Sequence, residues 1–163
     1  ENRKSHGLIT PMAVGRNLSL VAAPRLSRWG WWNSPAELQL AEQKVRELDI
    51  RTTNLDVPAR QLSGGNQQKV VLGKWLAMEP RVLILDEPTR GVDVGAKKEI
   101  YHLIFELASR GQAIMMISSE MEEIVGVSDR VLVMHEGRIS GCLTGQQICE
   151  EAIMSLAVGL QVA

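Results

Sequence analysis

A run of apolar residues that ends abruptly in two carboxylates is the most constraining feature of the chain: Arg81-Val82-Leu83-Ile84-Leu85-Asp86-Glu87-Pro88-Thr89. Branched and long apolar residues without alternation read as a buried strand of a parallel sheet. The carboxyl end of such a strand is where open α/β sheets keep their ligands, so a carboxylate there meets ligand and metal rather than core. In nucleotide hydrolysis a carboxylate in this position holds Mg²⁺, and a second one next to it can orient and polarise the attacking water. The alternative is a strand that ends in a solvated acidic turn.

The rest of the chain supplies what such a strand needs. Ser34-Pro35-Ala36-Glu37 has the form of a capping box with proline at the first helical position, and Leu38, Ala41, Val45 and Leu48 follow at helical spacing, which predicts a helix over 35–48. Residues 52–61 are polar, contain Pro58 and read as a loop. A second helix, with Val71, Trp75 and Met78 on one face, runs to Pro80. Ile100, Leu103, Ile104 and Leu107 predict another that Gly111 closes. Ala113 to Ile117 is a short strand, Ser119-x-x-Glu122 opens a short helix, 130–139 reads as a hairpin around Glu136-Gly137, and a last helix spans 146–156. Strands and helices alternate, so the fold class is α/β. Residues 1–33 show no clear periodicity. Their cluster Trp29-Gly30-Trp31-Trp32 either docks on a partner or packs under the helix that follows.

Composition excludes several alternatives. With 163 residues, 45% of them hydrophobic, the chain can bury a real core. Eighteen basic against 19 acidic residues give a net charge of -1, so no excess field recommends nucleic acid or an anionic membrane. Cys142 and Cys149 lack metal-site spacing and read as reduced thiols, and His6, His102 and His135 have no ligand spacing among themselves. No apolar stretch approaches the roughly 20 residues that cross a bilayer.

Leu62-Ser63-Gly64-Gly65-Asn66-Gln67-Gln68-Lys69-Val70 lies upstream of the acidic strand. Ser63 and the two glycines stand immediately before a helix, where unpaired backbone N–H groups and the positive end of the helix dipole can face a phosphate. An ordinary serine cap followed by a glycine turn has the same local form. The segment resembles the signature motif of ATP-binding cassette (ABC) ATPases. Arg81 to Asp86 resembles their Walker B strand and Glu87 their catalytic glutamate. The wording of the Gly64 to Val70 and Asp86 to Lys97 stretches is similar to the second cassette of fused ATPases that serve importers of the ribose, galactose, xylose and autoinducer-2 class, with likeness from Glu1 to about Leu156.

The resemblance implies a partial P-loop NTPase domain of two parts. Residues 1–80 hold a Q-loop-proximal segment and a helical subdomain with the signature; 81–163 hold the Walker B part of the core and the C-terminal helix. No Gly-x-x-x-x-Gly-Lys-Ser/Thr phosphate loop occurs, since Gly73-Lys74 is followed by Trp75, and the chain starts without methionine, so a fragment is expected. The resemblance also implies roles. Leu62, Ser63, Gly64, Gly65, Asn66 and Gln67 would complete the ATP site of a facing cassette, Asp86 would bind Mg²⁺, and Glu87 would be general base. Asp93 would reach the facing cassette, or cap the helix that follows, or both. Ser119 stands where the family's switch histidine is expected, and a hydroxyl cannot supply a histidine's positive charge. Glu1 falls at the Q-loop glutamine. The implied partners are that facing cassette and transmembrane permease subunits, at the cytoplasmic face of the bacterial inner membrane. The implied activity is ATP hydrolysis that drives import of a sugar or sugar-like solute. A catalytically weak half-site and a non-transport ABC ATPase remain as alternatives.

Overall fold

In the computed structural model, residues 7–29 and 31–160 are described. The chain divides into two compact units at Ile117/Ser118.

The first unit begins with α1 (Val14–Ser19) and α2 (Ala23–Leu26), a two-residue hairpin β1 (Ser27–Arg28) and β2 (Trp31–Trp32), and α3 (Ser34–Glu47). The polar segment that follows α3 is tied back to the start of the chain: Val14 N–H donates to Val57 O at 2.9 Å, Gly15 N–H to Leu55 O at 2.9 Å, and Ala59 N–H to Met12 O at 3.0 Å. Asn17, fully buried, clamps this region. Its Oδ1 accepts from Ile9 N–H at 3.0 Å, and its amide donates to the carbonyls of Ile9, Met12 and Ala13 at 3.0–3.1 Å. A buried carboxamide is tolerated because its bonding capacity is filled.

Helix α4 (Gly64–Leu76) packs with α1 and α3. The approach is close: a Cβ on Gly73 would stand 2.7 Å from Leu18 Cδ2 and 2.8 Å from Leu48 Cδ1. Strand β3 (Val82–Asp86), helix α5 (Val94–Ser109) and strand β4 (Ala113–Ile117) then form a β–α–β unit whose strands pair in parallel, Val82 with Ala113 through to Asp86 with Ile117. Burial alternates along β3. Leu83 and Leu85 are inside, whereas Val82 and Ile84 are 59% and 63% exposed.

The second unit holds α6 (Met121–Val127), the antiparallel hairpin β5 (Arg130–His135) and β6 (Arg138–Thr144), and α7 (Glu150–Ala157). Val131, Val133 and Leu143 on one hairpin face pack against Ile153 and Leu156 of α7. The Glu136-Gly137 turn has positive φ at both residues, 46° and 76°, which fits the right-handed twist of a tight hairpin.

Three local expectations need correction. Asn33 rather than Ser34 caps α3, accepting from Ala36 N–H at 3.1 Å, because the Glu37 carboxylate is taken by Trp32 Nε1 at 2.7 Å and Ser19 Oγ at 2.8 Å. Trp29 and Trp31 do not pack under that helix, being 89% and 82% exposed, whereas Trp32, 45% exposed, bonds its first turn. The last helix starts at Glu150, after a 3₁₀ turn over Gly145–Gln147 that Thr144 and Gln147 cap reciprocally.

Candidate functional site

Ser63 is the N-cap of α4, exposed, with φ -60° and ψ 159°. Its hydroxyl is oriented by an unambiguous chain of donors. The backbone N–H of Arg51 can only donate, and it bonds Asn66 Oδ1 at 2.7 Å. Asn66 must therefore turn its Nδ2 toward Ser63 Oγ, at 2.9 Å, and Asn66 N–H reaches the same oxygen at 3.4 Å. A hydroxyl has two acceptor sites and one donor. Both acceptor sites are filled from Asn66 and no acceptor for the O–H proton occurs among the described residues, so that proton is the part left for another molecule, at a helix end where N–H groups and the dipole favour an anion.

The neighbouring signature residues hold that end in place. Gln67, 6% exposed, donates from Nε2 to Leu62 O at 2.9 Å, which fixes the residue before Ser63. Its Oε1 is buried without a hydrogen-bond partner among the described residues. Gly64 opens the helix, half-buried, and Gly65 is buried. A Cβ on Gly65 would lie 2.4 Å from Ala96 Cβ, so glycine is needed there for α4 to approach α5, whatever else it does for a ligand. That contact also brings Asp93 near the signature. Asp93 caps α5, accepting from Ala96 N–H at 3.0 Å, and it is exposed.

At the mouth of the parallel pair, Asp86 is the last residue of β3 and is exposed. Glu87 N–H donates to Ile117 O at 2.8 Å, which extends the ladder by one step, and Arg90 N–H closes a turn on Glu87 O at 3.2 Å. Glu87 has φ 49°. A non-glycine residue in the left-handed region costs on the order of 1–2 kcal/mol, a strain that must be held by its surroundings. Here Pro88 and Thr89, both buried, and the Ile117 hydrogen bond hold it.

Among the described residues no group of three or more His, Cys, Asp and Glu could hold a metal. An exposed strand-tip carboxylate still fits Mg²⁺, which keeps several waters and takes one or two carboxylates together with phosphate oxygens. A cavity of about 840 Å³, lined among others by Lys44, Glu47, Pro80, Arg110 and Gln112, lies at the opposite, amino end of β3. Ligands of open α/β sheets bind at carboxyl ends, so it is not the site.

Ser119 belongs to the second unit, exposed, two residues past the end of β4. It does not take the capping role expected of it; the neighbouring Ser118 hydroxyl accepts from Glu120 N–H at 3.0 Å and donates to the buried Glu123 carboxylate, which ties the approach to the helix rather than its first turn. Helix α6 itself starts from Glu120 with no side-chain cap. Glu1 lies outside the described residues. Sequence reasoning missed Lys69 and Glu99, joined at 2.8 Å between α4 and α5. The available signal was a lysine on the helix face shared with Leu72, Gly73 and Leu76.

Three comparisons bear on this geometry. The family model described as ABC transporter matches residues 3–90. The ribose import ATP-binding protein RbsA of Geobacillus kaustophilus is 53% identical over 159 residues, 98% of this chain and 32% of that protein. RbsA 2 of Escherichia coli O157:H7 is 50% identical over 163 residues, 100% of this chain and 32% of its own length. The chain thus spans about a third of these curated relatives. Among solved structures, an ATP-binding cassette of an ABC transporter aligns with a TM-score of 0.76 at 21% identity, covering 93% of this chain and 64% of that one. A dimeric post-hydrolysis cassette bound to ADP and Pi aligns at 0.71 with 19% identity, covering 86% and 60%. These structural likenesses establish the fold: part of an ATP-binding cassette.

Proposed function

The chain belongs to the ABC transporter family, and from that premise we propose that it is the C-terminal part of the second cassette of an ATPase subunit that drives import of a sugar or sugar-like solute. The observation that carries the reading is Ser63, whose hydroxyl has only its proton left to give, at an exposed helix start. An anion is the partner that such a site suits. The ribose import relatives at about half identity support a sugar as the solute.

In this reading Leu62 to Gln67 close over the γ-phosphate of ATP held by a facing cassette, and Asp93 reaches that cassette across the interface. Asp86 holds Mg²⁺, which when bound neutralises phosphate charge. Glu87 accepts a proton from the attacking water, or orients it, from a backbone already locked by its strained turn. By resemblance alone, Ser119 would take the place of the family's switch histidine, and Glu1, outside the described residues, that of the Q-loop glutamine. Binding of ATP draws the two cassettes together, product release parts them, and permease subunits convert that alternation into transport. The subunit works at the cytoplasmic face of the bacterial inner membrane as a peripheral component. Among the described residues no helix is long and apolar enough to cross a membrane. The division into a signature part, 1–80, and a Walker B part, 81–163, is one of roles.

Ser63→Asp in the assembled transporter is the test. Aspartate caps a helix as well as serine, so folding is retained, but it sets a negative charge where phosphate must dock. ATP turnover is expected to fall about 100-fold or more. Turnover close to wild type would remove the reading. Ser119, lacking an imidazole charge, favours a second reading in which this cassette serves mainly in trans. Glu87→Gln separates the two: turnover collapses if this cassette hydrolyses, and stays within about twofold if it only assists.

A further inference from the structure

Glu99, on the second turn of α5, bonds with each of its carboxylate oxygens to a different element. Oε2 accepts from Lys69 Nζ of α4 at 2.8 Å, and Oε1 accepts from the Arg51 guanidinium at 3.2 Å. Lys69, 6% exposed in its side chain, also donates to Asp49 O at 3.0 Å. Asp49 and Arg51 thus belong to one short segment, held from both ends of the Glu99 carboxylate through two cations. The same segment orients Ser63, because Arg51 N–H fixes Asn66, and Asn66 fills both acceptor sites of the Ser63 hydroxyl. Asp49 adopts a left-handed backbone, φ 46°, in the Schellman close of α3, with Ile50 N–H on Val45 O at 3.0 Å and Asp49 N–H on Arg46 O at 3.3 Å, so the segment leaves the helix along a set path toward Lys69 and Glu99.

We propose that Glu99 is a positioning residue for the Ser63 anion site: it holds the 49–51 segment and α4 in one register, so that the Ser63 proton points where the anion docks. The inference rests on the proposed function above. The contact of Gly65 with Ala96 sets how near α4 and α5 come, but apolar contact alone leaves α4 free to slide or turn by a fraction of a residue. A carboxylate bridging two cations, one of them nearly buried, is directional and removes that freedom. Glu99 touches no part of the anion itself; it acts through Arg51, Asn66 and Ser63.

The assembled ATPase carrying Glu99→Ala, Glu99→Gln or Ser63→Asp tests this. Displacement of a catalytic group by a fraction of an ångström is enough to cost between about tenfold and 100-fold in rate. Glu99→Ala is expected to lower kcat by about that much and leave KM for ATP within about twofold, because other residues grip the rest of the nucleotide. Glu99→Gln, which keeps an acceptor for Lys69, is expected to recover part of the loss. A structural role alone would lower the melting temperature and the fraction of active enzyme while the folded remainder kept its kcat, and that result would overturn the inference. So would a wild-type kcat for Glu99→Ala beside an inactive Ser63→Asp enzyme, with the proposed function left standing. An active Ser63→Asp enzyme would overturn both.

Discussion

The helical region around α4 and the β3–β4 pair belong to the same unit, yet they are finished to different degrees. Around α4 the packing is closed: Val14, Leu18 and Val70 are wholly buried, Asn17 has every bond filled, and Gly73 is there because Leu18 and Leu48 leave no room for a methyl. The parallel pair is closed on one face alone. Val82, Ile84, Met115 and Ile117 leave an apolar stripe open to solvent, although parallel sheets are ordinarily covered on both faces. The difference separates two kinds of dependence. The region that presents Ser63 is stabilised by contacts within this chain, while the strand that presents Asp86 and Glu87 still has a face that another element must cover.

The largest effects should therefore come from the closed region. Leu18→Ala removes a fully buried side chain wedged against Gly73, and is expected to cost about 3 kcal/mol, read as a lower denaturant midpoint. A loss under about 1 kcal/mol would mean that this core is looser than its packing. Gly65→Ala comes next. Its new methyl would overlap Ala96 at 2.4 Å, and overpacking of this kind costs about 1–3 kcal/mol, partly offset by alanine's better helix propensity. The pairing of Gly65→Ala with Ala96→Gly should restore most of the loss; no restoration would show that the two helices do not meet there.

The open sheet face should respond in the opposite sense. Ile84→Lys places a charge where Ile84 is 63% exposed, so the melting temperature of this chain should stay within a few degrees while its soluble fraction rises. A fall as large as that of Leu18→Ala would mean that the face is already covered in solution, by a second copy of the chain. In the assembled ATPase proposed above, the same substitution should be strongly damaging if a covering element buries the stripe there, as parallel sheets ordinarily require.

How much of this was legible in the sequence follows the same divide. β3 and its acidic tip, α5 with its 3-4-3 spacing, and the Glu136-Gly137 hairpin are written in local patterns, and each formed where the pattern lies. Residues 7–29 and 31–33 were not readable, because their order comes from distant partners: residues 12–15 bond 55–59, and the buried Asn17 side chain gathers the carbonyls of Ile9, Met12 and Ala13. Glu87 shows the limit most plainly. Its identity was read from a motif, but its left-handed backbone is held together with a hydrogen bond to Ile117, 30 residues away, which no local rule reports. The tie between Arg51 and Glu99, separated by 48 residues, was hidden for the same reason.

The smallest expected effect probes that tie and thereby the seam between the two regions. The hydrogen bond from Lys69 holds the Glu99 carboxyl below its ordinary 4.5, aided by the charges of Lys69 and Arg51 and opposed by burial and by Asp93. With the folded value depressed, the stabilisation is fully present above 4.5, where both folded and unfolded chains are ionised. As pH falls below 4.5 the unfolded chain takes up its proton first, so stability declines until the folded carboxyl is protonated too. Glu47 follows the same direction: burial alone would raise it, but hydrogen bonds from Lys44 and Gln43 outweigh that, so wild type alone cannot isolate Glu99. The difference between wild type and Glu99→Gln can. Melting temperatures of the two, followed from neutral pH down through 4.5, should converge, since the variant has no carboxylate at this seam to lose. Parallel curves would mean that Glu99 is solvated in the folded chain and that α4 and α5 are joined by the Gly65–Ala96 contact alone.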